Sequence, residues 1–338
     1  MRHVLIPPVL AIRPPPVDGK VHDFFGQTMG TVWSVRAVLD AQLSAATLQC
    51  AIEHELDTVV AQMSHWLPTS NLEQFNRAAA DSWHELPAAF FAVLRFALQV
   101  AADSDGAYDP TAGKLINLWG FGAQHRYDEP GFTVPAPKRI NALLSAGWRQ
   151  VLLDVERQRA YQPGGLLLNL SAVAKGYAVD CVSRRLIEHG IEHHLVEVGG
   201  ELRGAGVKPD GLPWWVALEQ PAIDTHAATP PAECVIALHD LSVATSGDYR
   251  RYYHSDGQRH SHTIDPRNGQ PIRHGLASVT VIHRDCMAAD ALSTALNVMG
   301  MKHGMRFAQQ RNIAARFIQR TSAGLVESMT PAFAMMTQ

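Results

Sequence analysis

The 338-residue chain is 46% hydrophobic and 18% charged, and its formal net charge is −3 at pH 7. That composition supports one large globular unit or two modest ones, with no global field to recruit nucleic acid or an anionic membrane. No stretch reaches the roughly 18 continuous apolar residues of a membrane-spanning helix.

The opening "MRHVLIPPVLAIRPPPVDGK" has its apolar run broken by Pro7 and Pro8, and no small-x-small cleavage site follows it. Residues 1–23 therefore read as a partly disordered leader on a cytoplasmic protein. A periplasmic location, facing the inner membrane, is the alternative if the true start lies upstream. "TVWSVRAV" (31–38) alternates as a half-buried strand does. Leu48, Ile52, Leu56, Val59, Val60 and Met63 recur at helical spacing from about Ser44, and Phe90, Val93, Leu94 and Leu98 mark a second helix over about 87–103.

"DPTAGKLINLWGFG" (109–122) reads as a glycine-punctuated loop, and "GLLLNL" (165–170) as a buried strand running into a helix over 173–189. "HHLVEVGGELRGAG" (193–206) reads as two strands joined through Gly199 and Gly200. "PWWVALE" and "CVIALH" read as neighbouring strands across the Pro/Ala/Thr-rich loop 221–232. "ASVTVIH" (277–283) feeds a helix beginning near Ala288, and "ARFIQR" and "GLVES" follow as strands. Strands and helices mix without a β-α-β period, which predicts an α+β fold: a single mixed domain over 24–338 with antiparallel-rich sheets and packed helices. Cys50, Cys181, Cys234 and Cys286 form no C-x-x-C pair and read as buried thiols.

Four stretches concentrate polar chemistry. In "AADALSTALNVMG" (288–300), Asp290 with Ser293 and Thr294 puts three oxygens on one helix face. Either that face holds a hard cation, or Asp290 caps the helix. In "LNLSAVAKGYAVD" (168–180), Lys175 sits early in a helix, where it opposes the dipole. It is either a solvated lysine or the partner of a bound anion. In "ATSGDYRRYYHSDGQRHSHTIDPRNGQP" (244–271), His262 and Asp265 form either a base with its orienting carboxylate or part of a turn ending at Asn268-Gly269. "GQTMGT" (26–31), "SHWLPTS" (64–70) and "AYDPTAGKLINLWGFG" suit either a flat ring system or ordinary turns and core aromatics. Neither G-x-G-x-x-G after the first strand nor G-x-x-x-x-G-K-[ST] occurs, so Rossmann and P-loop sites are excluded.

Taken in order, "GQTMGT", "SHWLPTSNLEQFN", "YDPTAGKLINLWGFG", "LSAVAKGYAVD", "VEVGGEL", "ATSGDYRRYY", "HTIDPRNGQP" and "ADALSTAL" resemble the FAD:protein FMN transferase family, the ApbE-like flavin transferases, over about residues 24–335. The resemblance implies FAD as substrate, Mg²⁺ (Mn²⁺ is the alternative), and an acceptor flavoprotein with a reactive Thr or Ser. The FMN half passes to that hydroxyl through a phosphoester, and AMP leaves. It implies Asp290 and Thr294 as metal ligands, with Ser293 adjacent and the Ala172 carbonyl contributing.

Met29, Trp66, Ala107, Tyr108, Asp109, Asn169, Lys175 and Ile264 fall at positions that contact flavin or adenine, and His262 at that of the base, expected to titrate near 6.5. Asn169 stands where Asp is common, Trp66 where Tyr is common, and the "RTG" turn is here "RNG". The resemblance leaves open an FAD pyrophosphatase with water as acceptor, a non-catalytic flavin-binding protein, and a homodimer. It gives no role to nucleic acid.

Overall fold

The computed structural model of the chain describes residues 2–7, 13–40, 43–144, 147–221, 233–322 and 324–337. Its centre is one eight-stranded sheet of β1 (Lys20–Thr28), β2 (Thr31–Leu39), β3 (His194–Val198), β4 (Glu201–Ala205), β5 (Leu241–Gly247), β6 (Leu276–His283), β7 (Ala314–Thr321) and β8 (Gly324–Met329). Each strand lies beside the next in chain order, and every pairing is antiparallel. The expected α+β class is what the chain adopts, and the helices enter as insertions between consecutive strands.

The longest insertion, between β2 and β3, carries α1 (Ala45–Met63), α2 (Ala88–Asp103) and α3 (Ala174–Glu188). α4 (Cys286–Gln310) joins β6 to β7 and breaks at Gly300. Alternation along β2 turns Trp33, Val35, Ala37 and Leu39 toward α1 and α3, forming the largest core. Val38 and Val21 point the other way, beneath a three-stranded sheet of Arg2–Leu5, Trp214–Ala217 and Glu233–Leu238. The result is three layers, with helices on one face of the main sheet and a small sheet on part of the other.

Ser44 caps α1 by accepting the Thr47 amide, and the expected first helix holds to its end at Met63. Three sequence readings need correcting. Residues 165–170 are buried but pair with no strand. Asn76 instead exchanges two hydrogen bonds with Leu168, at 2.7 and 3.0 Å, and Gln162 holds the Leu166 amide and carbonyl at 3.1 and 3.2 Å. Two buried side-chain amides thus do what a neighbouring strand would do. The expected loop 109–122 contains a short helix, Gly113–Leu118.

Within residues 1–23 two stretches take part in sheets. Arg2–Leu5 pairs in parallel with Glu233–Ile236, and Lys20–Asp23 belongs to β1. Residues 8–12, and the expected loop from 222 to 232, lie outside the described residues. Cys181, Cys234 and Cys286 are buried as expected, whereas Cys50 is exposed. Among the described residues no helix is long and apolar enough to cross a membrane.

Candidate active site

The site begins with two helix ends that hold each other. α3 and α4 start side by side, and neither N-cap residue makes a side-chain cap. Asp180 of α3 accepts the Cys286 and Met287 amides of α4 at 3.0 and 2.9 Å, while Asp290 of α4 accepts the Gly176 amide of α3 at 3.0 Å. Each helix satisfies the other's orphan N–H groups with a carboxylate, favoured by the positive end of the dipole. Only glycine permits this approach: a Cβ on Gly176 would lie 2.3 Å from the Cys286 carbonyl oxygen. Asp290 is therefore not the cap of its own helix.

Asp290 and Thr294 both line a cavity of about 360 Å³ between the helix ends and the upper edge of the sheet. Ser293 does not join them, because its hydroxyl donates to the Asp290 carbonyl at 2.9 Å. The other walls come from separate insertions: Met29 from the β1–β2 turn, Ala107, Tyr108 and Asp109 after α2, Asn169 and Ala172 before α3, and His262 and Ile264 after β5. A second lobe of about 210 Å³ opens beside it, walled by Val59, Met63, His65, Trp66 and Phe121. Met29, Asn169, Lys175 and His262 line both lobes. Trp66 belongs to the second lobe alone and is 47% exposed.

Lys175 is not a solvated lysine. Its Nζ lies 2.5 Å from Oε1 of Glu201, a buried residue on β4. Burial would lower the Lys175 pKa, but the Asp290 and Glu201 carboxylates outweigh it and hold the ammonium above its ordinary range. Burial raises both Glu201 and Asp290, and Lys175 partly offsets it. Two buried carboxylates face one ammonium, with the Arg250 guanidinium also acting on Glu201, in a wall where burial disfavours uncompensated carboxylate charge. The Oε2 of Glu201 and the hydroxyl of Tyr108, both on cavity-lining residues, have no hydrogen-bond partner among the described residues. The wall is built to meet further polar groups.

His262 is fixed through Nδ1, 3.0 Å from the Arg251 carbonyl. A carbonyl only accepts, so Nδ1 carries the proton and Nε2 presents its lone pair. Burial pushes the imidazole down to about 4, well below the value near 6.5 expected from sequence. At neutral pH the ring is an unprotonated base. Asp265 does not orient it. That carboxylate accepts the Arg267 amide at 3.0 Å and pairs with the Arg267 guanidinium at 2.8 Å, holding the turn.

Asp109 is similarly occupied, by the Thr111 amide and hydroxyl at 2.7 and 2.6 Å, and burial raises its pKa despite those bonds. The Asn169 side-chain oxygen accepts the Ser171 amide and hydroxyl, so the amide that replaces the commoner Asp serves a tight turn at the cavity edge. Glu201, Asp180 and His65 escaped assignment from sequence. Glu201 had only one signal, its place directly after the glycine pair of "VGGEL".

Insertions interleaved around an antiparallel sheet, and a two-lobed cavity lined by a neutral histidine, a lysine and buried carboxyls, have the form of an enzyme site. A family model described as the ApbE family matches residues 29–317, and the chain belongs to that family and is a transferase. It is 36% identical over 309 residues to the FAD:protein FMN transferase of Vibrio cholerae, covering 91% of this chain and 90% of that one. It is 35% identical to the Haemophilus influenzae protein of the same name, covering 95% and 93%. The structure of the Pseudomonas stutzeri flavinyl transferase ApbE, apo form, aligns with a TM-score of 0.85 at 38% identity, covering 94% of this chain and 97% of that one. The Vibrio cholerae flavin transferase ApbE aligns equally, with a TM-score of 0.85 at 34% identity over 94% and 99%.

Proposed function

We propose that the protein transfers the FMN half of FAD to a threonine or serine hydroxyl of an acceptor protein, in an Mg²⁺-dependent reaction that releases AMP. The observation that carries this reading is His262, held neutral by its Nδ1 bond and burial, with Nε2 unengaged among the described residues, lining both lobes of the cavity that Asp290 also lines. A hydroxyl is a weak nucleophile at neutral pH and needs such a base. The acceptor oxygen forms a bond to the FMN phosphorus, and its proton passes to Nε2. The P–O bond to the AMP phosphate breaks, and its electron pair leaves with AMP. Two lobes suit a two-part substrate, with Trp66 and His65 offering ring faces in the apolar one.

The donors present suit a hard cation. Among the described residues no three His, Cys, Asp or Glu side chains gather as a metal cage. One carboxylate with neutral oxygens is instead the set with which Mg²⁺ completes its shell from substrate phosphates. Asp290, Thr294 and the Ala172 carbonyl would hold it, and a cation there would favour the ionised form of the Asp290 carboxyl, which burial alone disfavours. Bound there, it supplies neutralisation of pyrophosphate charge. Lys175 adds a fixed positive charge, and Asn169 and Tyr108 orient polar groups of the nucleotide.

The test is to incubate the protein with FAD and Mg²⁺, with and without an acceptor domain, and to measure AMP together with in-gel flavin fluorescence. Acceptor-dependent AMP and a fluorescent acceptor band are expected. AMP release indifferent to acceptor would replace transfer by hydrolysis.

A further inference from the structure

The geometry points to the outer face of the β1–β2 hairpin as the surface on which the acceptor protein docks, feeding its hydroxyl-bearing segment past Met29 to His262. This inference rests on the transfer reading above. In the hairpin register Phe25 opposes Ser34 and Gln27 opposes Val32, so these four side chains share one face, with Phe25 and Val32 diagonal neighbours. Phe25 is 75% exposed and Val32 61%, whereas Phe24 and Trp33, on the opposite face, are buried. The small sheet covers Val21 and Val38 on that same outer face but leaves Phe25 and Val32 bare. The uncovered end is the one that reaches the site.

Three further features give the face a direction. β1 is the terminal strand of the main sheet, and no other strand pairs with its outer edge among the described residues. An extended segment can add there through backbone hydrogen bonds. The hairpin turns at Met29 and Gly30, both at positive φ, and Met29 lines both lobes together with His262. A segment laid along β1 toward that turn is therefore delivered to the base. Beside Phe25 and Val32 the same face carries the Arg36–Asp23 pair at 3.0 Å and Glu197, which accepts from Ser34 at 3.2 Å, so its charges are already engaged and its exposed apolar side chains are Phe25 and Val32. The partner it fits is a folded protein presenting an extended, uncharged segment, with an aliphatic or aromatic anchor close to its threonine or serine.

The test uses the full chain carrying Phe25→Ser and Val32→Ser, and separately Phe25→Asp and Val32→Asp, with the acceptor domain modified by the Vibrio cholerae relative as probe. Neither residue lines the cavity. The expected result is a KM for the acceptor raised at least tenfold in the Asp pair and less in the Ser pair. FAD affinity and acceptor-independent AMP release should stay within twofold, and molar mass by light scattering should not change. An unchanged KM overturns the inference while leaving transfer intact. So does a wild-type dimer that the Asp pair splits with KM unaltered, because the face then serves a second copy. Wild type that moves no flavin to the probe overturns the transfer reading and the docking surface with it.

Discussion

Replacing Asp290 separates its two duties. One oxygen accepts the Gly176 amide, and the carboxylate as a whole supplies negative charge to the cavity wall. Asp290→Ala orphans a buried N–H, at a cost of about 1–3 kcal/mol. In domains of 150–250 residues each kcal/mol is about 2–4 °C in Tm, so a fall of a few degrees is expected. Asp290→Asn keeps an acceptor oxygen for Gly176, and the Lys175–Glu201 pair remains in both variants. Its Tm should stay within about 2 °C of wild type by the same conversion. Both variants should lose at least about a hundredfold in Mg²⁺-dependent AMP release, because each removes the charge that faces the pyrophosphate. The assay is AMP release against Mg²⁺ concentration, beside differential scanning calorimetry. Near-wild-type release by Asp290→Asn at limiting Mg²⁺ would refute the ligand role. Equal Tm losses in the two variants would show that the Gly176 bond is not what Asp290 contributes to the fold.

His262→Asn should abolish flavinylation of the acceptor and leave FAD affinity within about threefold, read by in-gel fluorescence and titration, since the imidazole acts on the incoming hydroxyl. Because burial lowers the His262 pKa to about 4, the base stays deprotonated above that value. His262 should therefore contribute no step to the pH–rate profile between pH 6 and 8, where Glu201, pushed up to about 7, titrates in the wall, and a midpoint near 6.5 that persists in Glu201→Gln would contradict the burial argument. Trp66→Ala should weaken FAD binding by about 1–3 kcal/mol, taking base-on-aromatic stacking as the guide, and unchanged affinity by titration would remove Trp66 from the binding surface. Gly176→Ala drives a methyl to 2.3 Å from the Cys286 carbonyl oxygen and should cost about 1–3 kcal/mol in urea denaturation, whereas tolerance would mean that the helix ends can part without penalty.

How much of this was legible from the chain depended on whether a residue's partner lay nearby in sequence. α1 and α2 were readable because Leu48, Ile52 and Leu56, or Phe90, Val93 and Leu94, repeat at helical spacing against one core. The strand reading of 165–170 failed because a buried apolar run says nothing about what satisfies its backbone. Asn76, some ninety residues earlier, and Gln162 satisfy it, and neither carries a local signal. At the site, Asp290 and Thr294 kept the relation that helical spacing implied. Ser293 did not, since a helix-interior serine can turn back to its own backbone. Asp265 was lost to its turn for the reason that made "DPRNG" ambiguous: an aspartate before a proline-containing turn bonds the amides that follow. The pairing of Lys175 with Glu201 and the depression of His262 arise from three-dimensional burial, to which composition and spacing are blind.

The exchange of carboxylates between α3 and α4 makes the two helix starts into a gauge. Asp180 and Asp290 fix the axial offset of one helix against the other at two points, with no side-chain slack at Gly176 to absorb a slip. Lys175 rides on one helix and Thr294 on the other, so the distance across that side of the cavity is set by the offset rather than by any loop. A substitution that shifts one helix by a single turn would displace half the wall by about 5.4 Å and leave the other half in place. One wall of the cavity is thereby tied to a rigid joint in the scaffold.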